Sequence, residues 1–182
     1  MYTEYLKKYL SDERYNHCVR TKEMAQKLCD KYNIDNIAVT AAYLHDIAKE
    51  LSLDEMVKLL TKEDIKDACG MMNKNILHGL AGARLCEKLG IKDERIISCI
   101  KYHTFGKKSM SDIEKVVYIS DAIELGRNYE GVEEIRDRVF KSLNEGIIYE
   151  IEHKVKYLFS DRKQIHPYTI EFYNTLLEEN KW

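Results

Sequence analysis

Helix start and stop signals recur along this chain, and little sequence lies between them. Serine followed three residues later by glutamate, at positions 52–55 and 111–114, is the pattern of a helix-capping box. Glycine is expected to stop two further helices at Gly90 and Gly126, and Pro167 is well placed to open a last one. A β-rich fold needs a turn roughly every ten residues, which eight glycines and one proline in 182 residues cannot supply. The sequence therefore predicts an all-α fold.

Two of the predicted helices bring unusual polar residues into apolar surroundings. Ser11 is placed to cap a helix that continues to about residue 32. The next predicted helix starts at residue 35 or 36 and runs to about residue 50. It contains the stretch AAYLHDIAKE, in which His45 and Asp46 stand side by side among small apolar residues.

Charge and cysteine usage limit the class of protein. A formal net charge of −2 gives no basic field, so we expect no nucleic-acid partner. Five cysteines, odd in number, widely spaced and without a Cys-x-x-Cys pair, favour reduced thiols in the cytoplasm. No run approaches the roughly 18 apolar residues that a membrane span requires. We therefore expect a cytoplasmic protein that has no membrane partner.

Four of the six histidines and two aspartates fall on apolar helix faces. His17, for example, shares a face with Met24 and Leu28, and Asp121 interrupts the apolar run VVYISDAI. Taken singly, each histidine could be a hydrogen-bonded core residue. Together they would bury several ionic groups, each at a cost of several kcal/mol unless paired, and a divalent cation is a suitable counter-charge. The candidate metal ligands are His17, His45, Asp46, His78, His103 and Asp121.

The types and number of these ligands indicate which metal ions to expect. Imidazole and carboxylate groups without thiolate suit Fe, Mn, Co, Ni or Zn in a catalytic site. Six ligands exceed what one catalytic ion normally takes from protein. Two ions that share Asp46 and a bridging hydroxide fit the count better, and such pairs, about 3.5–4 Å apart, favour in-line displacement at phosphorus. Adjacent residues His45 and Asp46 would let one helical segment serve both ions.

The order of these residues resembles the signature of the HD-domain metal-dependent phosphohydrolases. Five blocks in order narrow the resemblance to the YqeK branch of symmetrical bis(5'-nucleosyl)-tetraphosphatases: RYNHCVRTKEMA, AAYLHDIAKE, NILHGLAGARL, IKYHTFGKKSMSDIEKVVYISDAIELGR and YEGVEEIR. The resemblance implies a single HD-domain helical bundle over residues 1–182, with the metal site between helices. The motif-bearing core would cover about 14–135, and C-terminal helices would cover about 136–180.

The resemblance also implies how the ligands are shared. His17, His45, Asp46 and Asp121 would hold one ion, and Asp46, His78 and His103 would hold a second, with iron as the expected metal. Asp46, Lys49 and Arg127 are the expected catalytic residues. The expected substrate contacts are Lys49, Thr104, Gly106, Arg127 and Tyr129.

Some of these residues also have simpler interpretations. Lys49 could be a solvated lysine at a helix end, and Arg127 could be a cation that interacts with a helix dipole. Glu124, one turn after Asp121, could orient a ligand. The chain departs from the family pattern, as the resemblance defines it, at Leu80, Phe105, Ala122 and Leu125, and these positions bear on nucleotide preference.

The implied activity is symmetrical hydrolysis of diadenosine tetraphosphate to two ADP by a homodimer. One alternative is an HD phosphohydrolase that acts on a nucleoside monophosphate, a deoxynucleoside triphosphate or a guanosine alarmone. Another is a noncatalytic HD module that senses a nucleotide. Such a module typically lacks metal ligands, whereas every ligand position is filled here.

Overall fold

The computed structural model describes residues 2–180 and has eleven α-helices and no strand in that range. Met1, Lys181 and Trp182, which the single-domain prediction includes, lie outside the described residues. The all-α prediction is confirmed. The helices are α1 (Tyr2–Tyr9), α2 (Asp12–Tyr32), α3 (Ile37–Leu44), α4 (Leu53–Leu59), α5 (Lys62–Asp67), α6 (Lys74–Lys88), α7 (Glu94–Tyr102), α8 (Asp112–Ile123), α9 (Val132–Lys141), α10 (Leu143–Ser160) and α11 (Pro167–Glu179).

The predicted caps set the ends of several helices. Ser11 accepts a hydrogen bond from the backbone N–H of Arg14 at the start of α2, and Asn33 ends that helix in the left-handed conformation. Complete capping boxes start α4 at Ser52 and α8 at Ser111, as predicted. These ends were predictable because a cap involves only residues a few positions apart.

The predicted end of α3 is wrong. The helix stops at Leu44, and residues 45–50 form consecutive turns rather than helix. The amide of Ile47 bonds the carbonyl of Leu44 at 3.0 Å, and the amide of Lys49 bonds the carbonyl of Asp46 at 2.8 Å. The imidazole Nδ1 of His45 lies 2.7 Å from the carbonyl oxygen of Ala42, a group that a continuing helix would pair with a backbone amide. The histidine side chain therefore replaces a helix bond at this point.

Helix α8 also ends earlier than predicted. Gly126 is expected to stop it, but its last residue is Ile123. Gly126 has a different role, because a Cβ atom there would lie 2.5 Å from Nε of Arg20. The glycine lets the Arg20 side chain pass close to the backbone that follows α8.

The helices pack so that five of them meet around one buried region. Helix α2 packs against α3 and α8, α3 packs against α7 and α8, and α6 packs against α7. Fully buried apolar side chains surround this region, among them Leu28, Leu44, Leu77, Ile100 and Ile119. Helix α10 packs against α8, α9 and α11 and so joins the C-terminal helices to this core. None of the described helices combines the length and the apolar character needed to cross a membrane.

Candidate metal centre

The six predicted ligands converge where α2, α3, α6, α7 and α8 meet. His17 lies on α2, His78 on α6 and Asp121 on α8, whereas His45 and His103 follow the last residues of α3 and α7. The aspartate side chains differ in exposure, since that of Asp46 is 3% exposed and that of Asp121 is 23% exposed. The four imidazoles are buried.

Asp46 lies at the centre of the cluster and presents one oxygen to each side. Its Oδ2 is 3.7 Å from Nε2 of His17 and 3.6 Å from Nε2 of His45. Its Oδ1 is 3.1 Å from Nε2 of His78 and 3.7 Å from Nε2 of His103. Asp121 completes the first side, because its Oδ1 is 3.1 Å from Nε2 of His17.

These contacts divide the cluster into two donor groups that share Asp46. The first donor group consists of His17, His45, Asp46 Oδ2 and Asp121, and the second of Asp46 Oδ1, His78 and His103. Within the described residues, two sets of three ligand atoms lie close enough together to hold a metal ion. The set of His17, His45 and Asp121 lies within the first donor group, whereas the set of His45, Asp46 and His103 joins His45 of the first group to two members of the second.

Each of the four imidazoles has an acceptor oxygen beside Nδ1. The partners are backbone carbonyls for His45 (Ala42, 2.7 Å), His78 (Lys74, 3.0 Å) and His103 (Ile100, 2.8 Å), and the Glu124 carboxylate for His17 (3.2 Å). An acceptor at Nδ1 requires the proton there, which leaves a lone pair on Nε2. All four lone pairs then belong to the atoms that face the cluster, as metal-binding histidines require.

The donor set fits a bound cation. Nε2 of His17 lies 3.2 Å from Nε2 of His45, and Nε2 of His78 lies 3.0 Å from Nε2 of His103. Lone pairs that face each other at these distances repel unless positive charge lies between them. Asp46 Oδ1 is also buried and accepts no hydrogen bond from the described residues. Such an atom is costly to bury unless an unlike charge pairs with it.

The electrostatics of the cluster favour positive charge at its centre. Burial alone would raise the pKa of Asp46, but His45 and His78 offset this effect and hold the pKa well below its usual range. Asp121 behaves in the same way, with His17 and His45 as the main opposing groups. Burial lowers the pKa of His45, and the two carboxylates more than compensate, so that the pKa is raised. Both carboxylates are therefore anions at neutral pH and attract either protons or metal ions.

Two predicted cationic residues contact the cluster. Lys49 Nζ lies 3.3 Å from His78 Nε2, although the turn after α3, and not a helix face, brings it there. Arg127 donates from Nη2 to the carboxylate of Asp121 and from Nε to the backbone carbonyl of the same residue at 2.9 Å. Both cations lie where an anionic ligand of the cluster would be expected.

Arg14 is a third cation at the cluster and was not identified from the sequence. Its Nη1 donates to Asp46 Oδ2 at 3.0 Å, and 31% of its side chain is exposed. The available signal was its place three residues before His17, a spacing that puts both side chains on one helix face.

The predicted substrate contacts are not all close to the ligands. Thr104 Oγ1 lies 3.3 Å from Nε2 of His78. Gly106, with a φ of +73°, packs on Phe172 of α11, where a Cβ atom would lie 2.6 Å from the ring. Close packing on α11 therefore accounts for this glycine. Tyr129 is 41% exposed, and its hydroxyl donates to the carbonyl of Ala122 at 2.9 Å.

Packing explains why Phe105 departs from the family pattern. The ring is 1% exposed and stacks on His166, with ring centroids 4.0 Å apart. The carbonyl of Phe105 also accepts a hydrogen bond from the hydroxyl of Thr169 at 2.9 Å. Phe105 therefore anchors the loop after α7 to the start of α11.

Residues 14–126 match the family model of the HD domain, which is more than half of the chain. The chain belongs to the HD domain family. The matched range contains all six candidate ligands together with Arg14, so the whole cluster lies within the HD domain.

Proteins similar to this HD-domain chain are named as hydrolases. A protein of Halalkalibacterium halodurans named symmetrical bis(5'-nucleosyl)-tetraphosphatase is 33% identical over 97% of this chain and 95% of its own length. A protein of the same name from Staphylococcus aureus is 36% identical over 92% of this chain and 90% of its own length. A crystal structure from Clostridium acetobutylicum, described as a predicted HD superfamily hydrolase involved in NAD metabolism, is 34% identical. It covers 98% of this chain and 96% of its own, with a TM-score of 0.88.

Proposed function

We propose that this chain is a symmetrical bis(5'-nucleosyl)-tetraphosphatase that hydrolyses diadenosine tetraphosphate to two ADP. The observation that carries the proposal is the placement of the two Asp46 oxygens, each facing its own group of imidazole nitrogens. One shared carboxylate between two donor groups suits a pair of divalent ions. The names of the relatives from H. halodurans and S. aureus support the choice of substrate.

Two divalent ions, with iron as the expected metal, would be held by the two donor groups. His17, His45, Asp46 and Asp121 would hold the first, and Asp46, His78 and His103 the second. When bound, such ions supply Lewis acidity and make water a better nucleophile at neutral pH.

The residues of the chain bind and orient the polyphosphate. Lys49 lies at the second donor group, and Arg14 and Arg127 lie at the first. Cations at both ends of the cluster suit a chain of several phosphates better than a single phosphate, which favours the tetraphosphate over a nucleoside monophosphate. Water adds to an inner phosphorus, the P–O bond from that phosphorus to the central bridging oxygen breaks, and one ADP leaves. The half that has gained the water oxygen loses a proton and is the second ADP.

Two further expectations accompany this function. We propose a cytoplasmic location, which the cysteines support, since all five are free thiols and none is paired in a disulfide. We also propose that residues 1–182 act as one domain, which the packing of α10 on α8 supports.

Product analysis tests the proposal. The protein, loaded with iron under anaerobic conditions, is incubated with diadenosine tetraphosphate, and the products are resolved by ion-exchange chromatography. We expect ADP as the sole product. Asp46→Ala should reduce turnover by at least about 100-fold, because both donor groups lose their shared ligand. AMP together with ATP would contradict symmetrical cleavage, and turnover of another nucleotide alone would favour a different HD phosphohydrolase.

A further inference from the structure

The two donor groups differ in what else contacts their metal-binding atoms. From this difference we infer that they bind divalent ions with unequal affinity, and that the second donor group is the weaker. We further infer that it is fully loaded only when a phosphate anion binds beside it. The inference rests on the two-ion site of the proposed function.

Two side chains compete with a metal ion for the nitrogens of the second donor group. Lys49 Nζ lies 3.3 Å from His78 Nε2, and Thr104 Oγ1 lies 3.3 Å from the same nitrogen and 3.2 Å from His103 Nε2. An ammonium group has donors only, and a neutral imidazole has one acceptor lone pair. The contact with Lys49 therefore uses the lone pair that a metal ion needs, and an ion must displace it.

The cations at the first donor group act on oxygen instead. Arg14 donates to Asp46 Oδ2 at 3.0 Å, and Arg127 donates to the carboxylate of Asp121. An ionised carboxylate has about four lone-pair sites, so it can accept these hydrogen bonds and still ligate a metal ion. These two arginines therefore do not compete with a metal ion for its ligand atoms, whereas Lys49 does at the second group.

The number of ligand carboxylates adds to the difference between the groups. The first donor group includes two, Asp46 and Asp121, whereas the second has only its share of Asp46. Arg14 and Arg127 offset part of the charge of the first group, as Lys49 does at the second. In addition, Nδ1 of His17 is bound by the carboxylate of Glu124, while His78 and His103 are bound by backbone carbonyls. A carboxylate partner makes an imidazole a better ligand, and more ligand charge strengthens cation binding.

A phosphate anion would favour loading of the second group. An ion at His78 would lie close to the Lys49 ammonium that it displaces, and two positive charges at short range repel. A phosphate that binds Lys49 offsets this repulsion. Because linkage is reciprocal, phosphate should tighten ion binding and the ion should tighten phosphate binding, by a factor typical of coupled sites, about 10-fold.

The test is a calorimetric titration of the metal-free protein with Mn²⁺, with and without inorganic phosphate. The wild type should bind two ions in a tight and a weak step, and phosphate should tighten the weak step about 10-fold. Lys49→Met should tighten the weak step about 10-fold without phosphate and remove most of the phosphate effect. Lys58→Met is the matched control, since Lys58 is an exposed lysine on α4, and should behave as the wild type.

Two further variants assign the steps. His78→Ala should remove the weak step and keep the tight one. Thr104→Val should tighten the weak step modestly, and circular dichroism checks that each variant is folded. Two steps of equal affinity, or a weak step that Lys49→Met leaves unchanged or weakens, would overturn this inference and leave the proposed function standing. Uptake of fewer than two ions in the presence of phosphate would overturn both the inference and the two-ion site.

Discussion

At the scale of single residues, His17 differs from the other cluster histidines because a side chain orients it. Glu124 Oε1 lies 3.2 Å from His17 Nδ1, and its other oxygen accepts from Arg20 Nε at 2.6 Å and from the amide of Gly126 at 2.5 Å. Burial alone would raise the pKa of Glu124, but Arg20 and Gly126 lower it, so the group stays a carboxylate. His17 is thereby held in one tautomer with Nε2 directed at the cluster.

Replacement of Glu124 should weaken ion binding without removing a ligand. We expect Glu124→Ala to reduce the affinity of the tight Mn²⁺ step by about 10- to 100-fold, the usual effect of losing such a partner. Glu124→Gln, which can still accept from Nδ1, should restore part of that loss. Calorimetric titration measures both. Glu178→Ala, at an exposed position on α11, serves as the control, and an unchanged affinity in Glu124→Ala would contradict the role.

At the scale of helices, the contact between α9 and α10 depends on one glycine. A Cβ atom at Gly146 would lie 2.5 Å from both the Cα and the backbone nitrogen of Val139. Backbone atoms cannot move aside cheaply, so the two helices approach closely only because position 146 has no side chain.

Gly146→Ala should therefore destabilise the fold. In an open helix the same change would stabilise by about 1 kcal/mol, whereas here we expect the free energy of unfolding to fall by about 1–3 kcal/mol. Urea denaturation followed by circular dichroism measures the difference. Ser160→Ala, at an exposed position near the end of α10, should change stability little. A gain in stability in Gly146→Ala would show that the helices can separate freely.

Helix α11 starts at a buried histidine whose charge state affects stability. The amide of Tyr168 donates to His166 Nδ1, and His166 Nε2 lies 2.9 Å from the carbonyl oxygen of Asp67. Burial lowers the pKa of His166. The unfolded chain therefore binds a proton more readily than the folded chain, and the contribution of His166 to stability is lost as pH falls through about 6.5, its unperturbed pKa.

His166→Asn should remove this pH dependence. Asparagine can still cap the helix and cannot be protonated in this range. We expect the wild type to have the larger free energy of unfolding at pH 7.5, and its advantage over the variant to shrink by pH 5.5. Urea denaturation at a fixed metal concentration measures both. A difference that is the same at both pH values would mean that protonation of His166 is not linked to folding.

At the scale of the whole molecule, the homodimer implied by the family resemblance stays a prediction. The groove between α10 and α11 is lined by Ile151, Val155, Phe159, Ile170 and Tyr173, and Phe159 is 74% exposed. Of these five side chains Phe159 and Ile170 are exposed, and exposed apolar side chains that lie together often mark an interface. A second copy of the chain is the expected partner of this groove.

Phe159→Glu tests that assignment. A charge at this position should oppose burial of the groove against a second copy. Light scattering after gel filtration should give twice the chain mass of 21.4 kDa for the wild type. For the variant it should give the mass of one chain. Lys156→Glu, which also places a charge in the groove but at an already charged side chain, should have the smaller effect. A wild-type monomer would contradict the dimer, and a dimeric Phe159→Glu would place the interface elsewhere.

The sequence by itself determined the helical class, the main caps and the family. These features depend on residues a few positions apart or on the order of short blocks, so they could be predicted at Ser11, Ser52 and Ser111 without knowledge of the fold. The tertiary structure decided the rest, because the decisive contacts join residues distant in sequence. It places Gly106 on Phe172 of α11, and it brings Arg14 onto Asp46, a residue 32 positions away. The sequence predicts that two ions share Asp46, but only the fold decides which of its oxygens faces which imidazoles, because neither oxygen has a direction until five helices have packed around it.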